Sequence, residues 1–369
     1  MEVFDVKITV FGCDVEEREL FLRRVGHYGV GLNIVDGPVS TENALFANGS
    51  RCVSVSHRDR LCEATLRALK NSGVKLVTTR SVGTDHIDMA AAGRLGIAVR
   101  SIPYSPSGVA DYAVMLILMA LRGAKDILGR AERGDFSPAP ERSPDIGETT
   151  VGVVGAGRIG REVISRLRPF GCRILAYDRA GAPAPSHGAQ VCPSFGELAG
   201  QCDILTFHLP LTAQTRHILS HENMCVVKDG AYIVNTGRGG LIETEALLDA
   251  LKSGKLRGAA LDVVEGEEDI FCNDRHIRAI ATGSSDTAET DIGERAGTDL
   301  SVSGQRRGNE PGVYQNETFE QLRAMPNVII TPHMAYYTRR TLQDTVENTI
   351  LRFMEFESAR KRWEEEWAS

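Results

Sequence analysis

A chain of 369 residues, 25% charged and 42% apolar, is too long for one ordinary core and points to two globular domains. Its net charge of −7, with acids and bases interspersed along the whole length, argues against a nucleic-acid surface or a polybasic membrane contact and leaves small molecules as the expected partners. The 8 cysteines are scattered without a Cys-X-X-Cys pair, so neither a metal site nor a disulfide framework is indicated.

The opening "MEVFDVKITVFG" carries acids early and enters a strand-like alternation at once, so no signal peptide is expected. The longest apolar run, "VMLILMAL" (114–121), falls far short of the roughly 20 residues a bilayer span needs, and a cytoplasmic protein is the expectation. From Lys7 onward short β-branched runs alternate with helical patterns: "KITVFG", "VEERELFLRRV", "LNIVD", "CVSVS", "RLCEATLRALKNSG", "VKLVTTRS", "DMAAAGRLG" and "IAVRS". This rhythm predicts a parallel sheet with helices on both faces, a first domain over 1–104.

After the turn-rich "PYSPSG" (103–108) comes an apolar helical pattern over 108–132. Being apolar around most of its circumference, that helix should be buried beneath a domain or between subunits. The strand rhythm restarts at "TTVGVVGAGRIG" and recurs at "RILAYD", "DILTFHLP", "AYIVNTG", "GAALDVV" and "NVIITPH", giving a second domain over 105–333. Within it, 276–312 has few large apolar residues and no sustained period, and reads as a mobile surface insertion, a lid or a dispensable loop. In the C-terminal segment 334–369, the spacing of Leu342, Val346, Ile350 and Phe353 predicts an amphipathic helix that completes the first domain.

The segment 151–178 has the form strand, glycine turn, helix, strand, acid. The chain must turn tightly at Gly155, a pyrophosphate must approach the backbone at Gly157, and helix meets strand at Gly160. A lone glycine trio is a common structural turn. Here the flanking elements and Asp178 fall where a dinucleotide fingerprint requires. Asp178 should accept from both ribose hydroxyls and repel a 2′-phosphate, which favours NAD; Arg179 beside it could pair with a phosphate and keeps NADP as the alternative.

Three later strands end in polar residues: Arg238 after "VNTG", Asp262 and Glu267 in "LDVVEGEED", and His333 after "IITP". In a doubly wound sheet the ligand lies beyond the carboxyl ends of the strands, so these residues could meet in one site. Reduction of a 2-keto acid asks for a cation on the carboxylate and carbonyl, a proton donor, and a group that keeps the donor charged, tasks suited to Arg238, His333 and Glu267. Taken singly, Arg238 reads as a surface arginine and Glu267 as part of a solvated acidic turn. Among the other histidines, His208 reads as a packing or adenine-side residue and His86 as a helix cap, while His27, His57, His187, His217, His221 and His276 read as surface residues.

In order, "VGAGRIG", "HLPLT", "VNTGRGGLI", "GAALDVVEGEE" and "NVIITPHMAYYT" resemble the D-specific 2-hydroxyacid dehydrogenases over nearly the whole chain. Within them "TRSVG", "PYSPSGVADY" and "LDVVEGEEDIF" look most like the VanH-type D-lactate dehydrogenases linked to vancomycin resistance. The resemblance implies an α/β fold of two doubly wound parallel-sheet domains, a Rossmann cofactor domain and a flavodoxin-like substrate domain, with the active site in the cleft between them. It implies that Arg238 binds the substrate carboxylate and polarises the keto group, that His333 is the general acid, and that Glu267 pairs with His333 and favours its charged form. Val82 and Gly83 would offer backbone amides to the carboxylate, with Tyr104 closing over it and Tyr336 shaping the pocket. Gly155, Gly157, Arg158, Ile159, Gly160, Asp178, Leu209, Pro210, Thr215, Thr236, Gly237 and Asp262 match the cofactor positions. The implied reaction is pyruvate to D-lactate in a homodimer, the D-lactate feeding a D-Ala-D-lactate ligase. The alternatives are a dehydrogenase for a bulkier 2-keto acid, for phosphoglycerate or for formate, and a non-catalytic NAD(H)-sensing regulator.

Overall fold

The computed structural model describes residues 7–138, 141–178, 188–267, 270 and 311–368. Its elements build two separate all-parallel sheets. The first is ordered β2-β1-β3-β4-β5, from β1 (Lys7–Phe11), β2 (Gly31–Val35), β3 (Cys52–Val55), β4 (Leu76–Thr79) and β5 (Ala98–Ser101). This is the flavodoxin-like order, with its switch point between β1 and β3.

The second sheet has β6 (Thr150–Val154), β7 (Arg173–Tyr177), β8 (Gln190–Val191), β9 (Ile204–Phe207), β10 (Ala231–Asn235), β11 (Leu256–Leu261) and β12 (Val328–Ile330). They lie in the order β12-β11-β10-β9-β6-β7-β8, a Rossmann arrangement with one added strand and its switch point between β6 and β9. Most of these strands are buried along their length, so they read as continuous apolar runs rather than alternations.

Helices cover both sheets. In the first domain α1 (Val15–Tyr28) starts at Asp14, whose side chain accepts from the Glu17 amide at 2.8 Å, and stops at Gly29 in the left-handed region. The helices α2 (Glu63–Asn71) and α3 (Met89–Leu95) pack on the opposite face. The segment 108–132 is not one helix. It breaks at Gly123, whose φ of 59° ends the first piece, so that α4 (Ser107–Leu121) and α5 (Ala124–Glu132) meet at 68°. The apolar α4 lies on the seven-stranded sheet, with Ala113, Leu116 and Ile117 fully buried against a cluster that includes Val151, Val153, Ile204 and Val234.

The second sheet is further covered by α6 (Arg158–Leu167), α7 (Phe195–Ala199), α8 (Thr244–Lys252) and α9 (Pro311–Ala324). The last residues of the stretch read as an insertion, 311 and 312, therefore open a helix; the rest of it lies outside the described residues. The chain passes from the first sheet to the second after β5 and returns after β12. The final helix, α10 (Arg339–Ala368), packs on α1 and buries Val346, Ile350 and Phe353 against Ile8, Val10 and Phe21. Burial of each such side chain contributes about 1.5–3 kcal/mol. Among the described residues no single helix is long and apolar enough to cross a membrane.

Candidate active site

The glycine turn between β6 and α6 divides its labour among three glycines. Gly155 holds φ at 98°, and a methyl there would press on the His208 carbonyl at about 3.0 Å. A methyl on Gly157 would meet no atom of the described residues within 4 Å, so the loop presents bare backbone at the start of α6. On Gly160 it would lie 2.0 Å from the Gly155 oxygen, so helix and turn can meet this closely only without a side chain. Among the described residues no side chain caps α6, which leaves the amides of Arg158 and Ile159 for a phosphate. Asp178, just past β7, accepts from the Ala156 amide at 3.0 Å and so stands beside the same loop. These features fit a dinucleotide. Arg179 lies outside the described residues.

Other expected cofactor positions are more buried. Leu209, Thr215 and Thr236 are each less than 8% exposed. The Thr215 hydroxyl donates to the Pro210 carbonyl at 2.6 Å and accepts from the Thr212 amide, so it shapes the loop after β9. The Thr236 hydroxyl meets His208 Nδ1 at 3.4 Å, and the Gly237 amide donates to Asn235 Oδ1.

Asp262 departs from expectation. It is fully buried, and its carboxylate is taken up by the turn that follows β12. One carboxylate oxygen accepts from the Thr331 hydroxyl at 2.6 Å and the Met334 amide at 2.8 Å, the other from the Ala335 amide at 2.8 Å, while its carbonyl accepts from the His333 amide. The charged carboxylate suits this place because the turn aims several donors inward at once. Asp262 thereby clamps the turn that carries His333. That turn needs a clamp: His333 has φ of +54°, a left-handed conformation a non-glycine residue adopts at a cost.

His333 Nδ1 lies 2.7 Å from Glu267 Oε1, and Glu267 is itself held by the Val264 amide on its other oxygen. With Nδ1–H donated to the carboxylate, Nε2 is the nitrogen free to hand over a proton. Arg238 reaches across from the second sheet: Nε pairs with Asp85 at 2.7 Å, Nη1 donates to the Gly237 carbonyl, and Nη2 comes close to Gly83. A methyl on Gly83 would sit 1.7 Å from Arg238 Nη2. Val82 beside it is exposed, its amide on the loop after β4. Tyr104 accepts through its carbonyl from Arg158, and burial pushes its hydroxyl upward in pKa against the charges of Arg238 and Arg158. Arg238 of the second sheet thus pairs with Asp85 of the first, and the charges of both Arg238 and His333 act on His57.

Beneath the substrate loop, Arg80 is almost wholly buried. It donates to the carbonyls of Phe11 and Gly12 and to the Ser54 hydroxyl, and pairs with Glu17 at 2.7 Å. One cation thus ties together the ends of β1, β3 and β4.

Sequence reasoning misplaced two histidines here. His86 does not cap α3; that is Asp88, which accepts from the Ala91 amide, whereas His86 Nε2 meets the Thr79 hydroxyl at 2.9 Å. His57 is not a surface residue: its ring packs 5.2 Å from the His333 ring and 5.0 Å from Tyr336. It follows the end of β3 much as His333 follows the end of β12, so the strand-end rule, applied to the first sheet too, would have found it. Asp85, the partner of Arg238, also went unread. His217 is half-buried on Glu265 at 3.0 Å, His187 and His276 lie outside the described residues, and His27 and His221 are exposed.

Burial holds three of these imidazoles neutral: His57 is pushed down to about 2, helped by the charges of His333, Arg58, His86 and Arg238; His208 to about 3; and His86 to about 4. An unfolded chain takes up protons on them near pH 6.5, well before the folded one does. Stability is therefore full above that pH and is lost as the pH falls below it, by up to about 1.4 kcal/mol per unit for each histidine. Urea midpoints taken between pH 7.5 and 5 should fall steadily, with an expected loss of about 2–6 kcal/mol by pH 5. Replacing His208 by asparagine should flatten the slope.

The family model for D-isomer-specific 2-hydroxyacid dehydrogenase, NAD binding domain, matches residues 114–335. The chain belongs to the D-isomer-specific 2-hydroxyacid dehydrogenase family. This dehydrogenase is 42% identical over 353 residues to a D-specific alpha-keto acid dehydrogenase of Enterococcus faecium, covering 96% of this chain and 98% of the relative. It is 31% identical over 354 residues to an aromatic 2-oxoacid reductase of Clostridium sporogenes, covering 95% and 96%. Among solved structures it is similar to a D-lactate dehydrogenase from Aquifex aeolicus complexed with NAD and lactic acid, at a TM-score of 0.76 and 30% identity over 95% of this chain and 96% of that one. The dehydrogenase is thus an NAD-dependent oxidoreductase, and its seven-stranded sheet is the cofactor-binding one.

Proposed function

We propose that this dehydrogenase reduces a short 2-keto acid, pyruvate foremost, to its D-2-hydroxy acid with NADH. The observations that support the reading are the His333–Glu267 pair and the close approach of Arg238 to Gly83, with His333 and Arg238 both acting on His57. The substrate carboxylate would lie on the Arg238 guanidinium and the amides of Val82 and Gly83, with Tyr104 and Tyr336 enclosing it. Arg238 would also draw electron density from the keto oxygen, where charge develops during reduction. His333 would give that oxygen its proton from Nε2, while Glu267 holds Nδ1 and aims the ring.

Gly157 and the amides of Arg158 and Ile159 would hold the pyrophosphate, and Asp178 the ribose hydroxyls. The reduced nicotinamide, when bound, supplies the hydride. The relative from Enterococcus faecium supports a D-specific keto acid reaction. The product would then serve a ligase that builds a D-Ala-D-lactate cell-wall precursor, the role the VanH-type resemblance implies, in a cytoplasmic homodimer.

The second reading, a bulkier substrate, is favoured by the 31% identity to an aromatic 2-oxoacid reductase. Initial rates with pyruvate, 2-oxobutyrate, 2-oxoisocaproate and phenylpyruvate, each with NADH and NADPH, decide between them. The proposal expects the highest kcat/KM for pyruvate with NADH, because the carboxylate of Asp178 repels a 2′-phosphate. A preference for phenylpyruvate would move the chain to the second reading, and no turnover with any of them would leave a cofactor sensor.

A further inference from the structure

A proton donor must be aimed as well as charged. Glu267 fixes one edge of the His333 ring through a single hydrogen bond, and Asp262 fixes its backbone. Neither stops the imidazole from tilting about the Nδ1–Oε1 direction. Two rings do. Tyr336 stands edge-on to His333 at 5.8 Å and 85°, and His57 faces it at 5.2 Å and 51°. His57 and Tyr336 brace each other at 5.0 Å and 73°, which closes a triangle of three mutually packed rings.

The corners have different origins. His333 and Tyr336 follow β12 of the seven-stranded sheet; His57 follows β3 of the five-stranded sheet. We propose that His57 is a positioning residue for His333, a wall contributed by the first sheet that fixes the tilt of the proton donor. This rests on His333 being the donor. The role asks for a ring and not for a second acid. Among the described residues, of the two imidazoles only His333 has a carboxylate partner, and burial keeps His57 neutral. The arrangement makes the donor's aim depend on residues of both sheets.

The test compares His57→Ala with His57→Phe, using pyruvate and NADH. Loss of the wall should lower kcat roughly 10- to 100-fold, since small misplacements of a reacting group carry penalties of that size. KM for pyruvate and Kd for NADH should stay within about two-fold, and the phenylalanine ring should restore most of kcat. A second readout needs no turnover: the NMR order parameter of the His333 ring C–H should fall in His57→Ala and recover in His57→Phe. An unchanged order parameter in His57→Ala overturns the proposal, as does a rise in KM with kcat intact, which would put His57 on the substrate. Failure of phenylalanine to restore either quantity also overturns it, because a nitrogen and not the ring would then be required. If the parent chain reduces no 2-keto acid, the functional reading falls while the ring measurement still decides the role of His57.

Discussion

A His333→Gln variant is expected to reduce pyruvate about 10²- to 10⁴-fold more slowly than the parent chain, with NADH binding unchanged. Glutamine can keep a hydrogen bond to Glu267 but has no proton to give at neutral pH. The φ of +54° at this position is borne by the Asp262 clamp, whose acceptors take backbone amides and a threonine hydroxyl and need nothing from the imidazole. The fold around the site should therefore survive the change. Single-turnover rates with saturating NADH, alongside NADH fluorescence titration, separate chemistry from binding. A variant that keeps its rate would remove the proton-donor assignment and favour the sensor reading, in which no catalytic histidine is needed.

Arg238→Lys should cost about 10²- to 10³-fold in kcat/KM, most of it in kcat. Arginine at 238 uses its fork in several directions at once: Nε on Asp85, Nη1 on the Gly237 carbonyl, and the planar group against Gly83. An ammonium carries the same charge but cannot meet a carboxylate in two places and a keto oxygen along a fixed plane. The loss should appear with every 2-keto acid tested, because the group they share is the one addressed. Equal kcat/KM in the lysine variant would mean that charge alone is recruited, and that the contact with Gly83 is incidental.

Much of this could be read from the chain itself. The alternation of strand and helix patterns was enough to foresee two parallel sheets, because buried parallel strands are written as uninterrupted β-branched runs such as "VGVV" and "YIVN". The glycine trio, Asp178, Glu267 and His333 were legible because each is tied to the end of a strand. Gly123 was passed over because one glycine in an otherwise continuous apolar helix looks tolerable until its φ is seen. Asp262 was assigned by position in a motif, and nothing in "LDVVEGEE" says that its carboxylate turns inward to the donors of 331–335. The contacts of His57 and Asp85 join residues far apart in sequence; the end of β3 marks His57 as a candidate, but no local pattern says that either side chain meets a residue of the second sheet.

The position of α10 bears on how the chain is made. The face of the first sheet formed by Ile8, Val10 and Leu76 is covered by Val346, Ile350 and Phe353, so the opening strands leave the ribosome long before their cover exists. At about 5–20 residues per second, the interval is on the order of 15–70 s. Throughout it that sheet face is covered only in part, by Phe21 and Val25 of α1, while the Rossmann unit is still being synthesised. Nascent chains of this protein are thus expected to offer chaperones a binding surface that docking of α10 takes away.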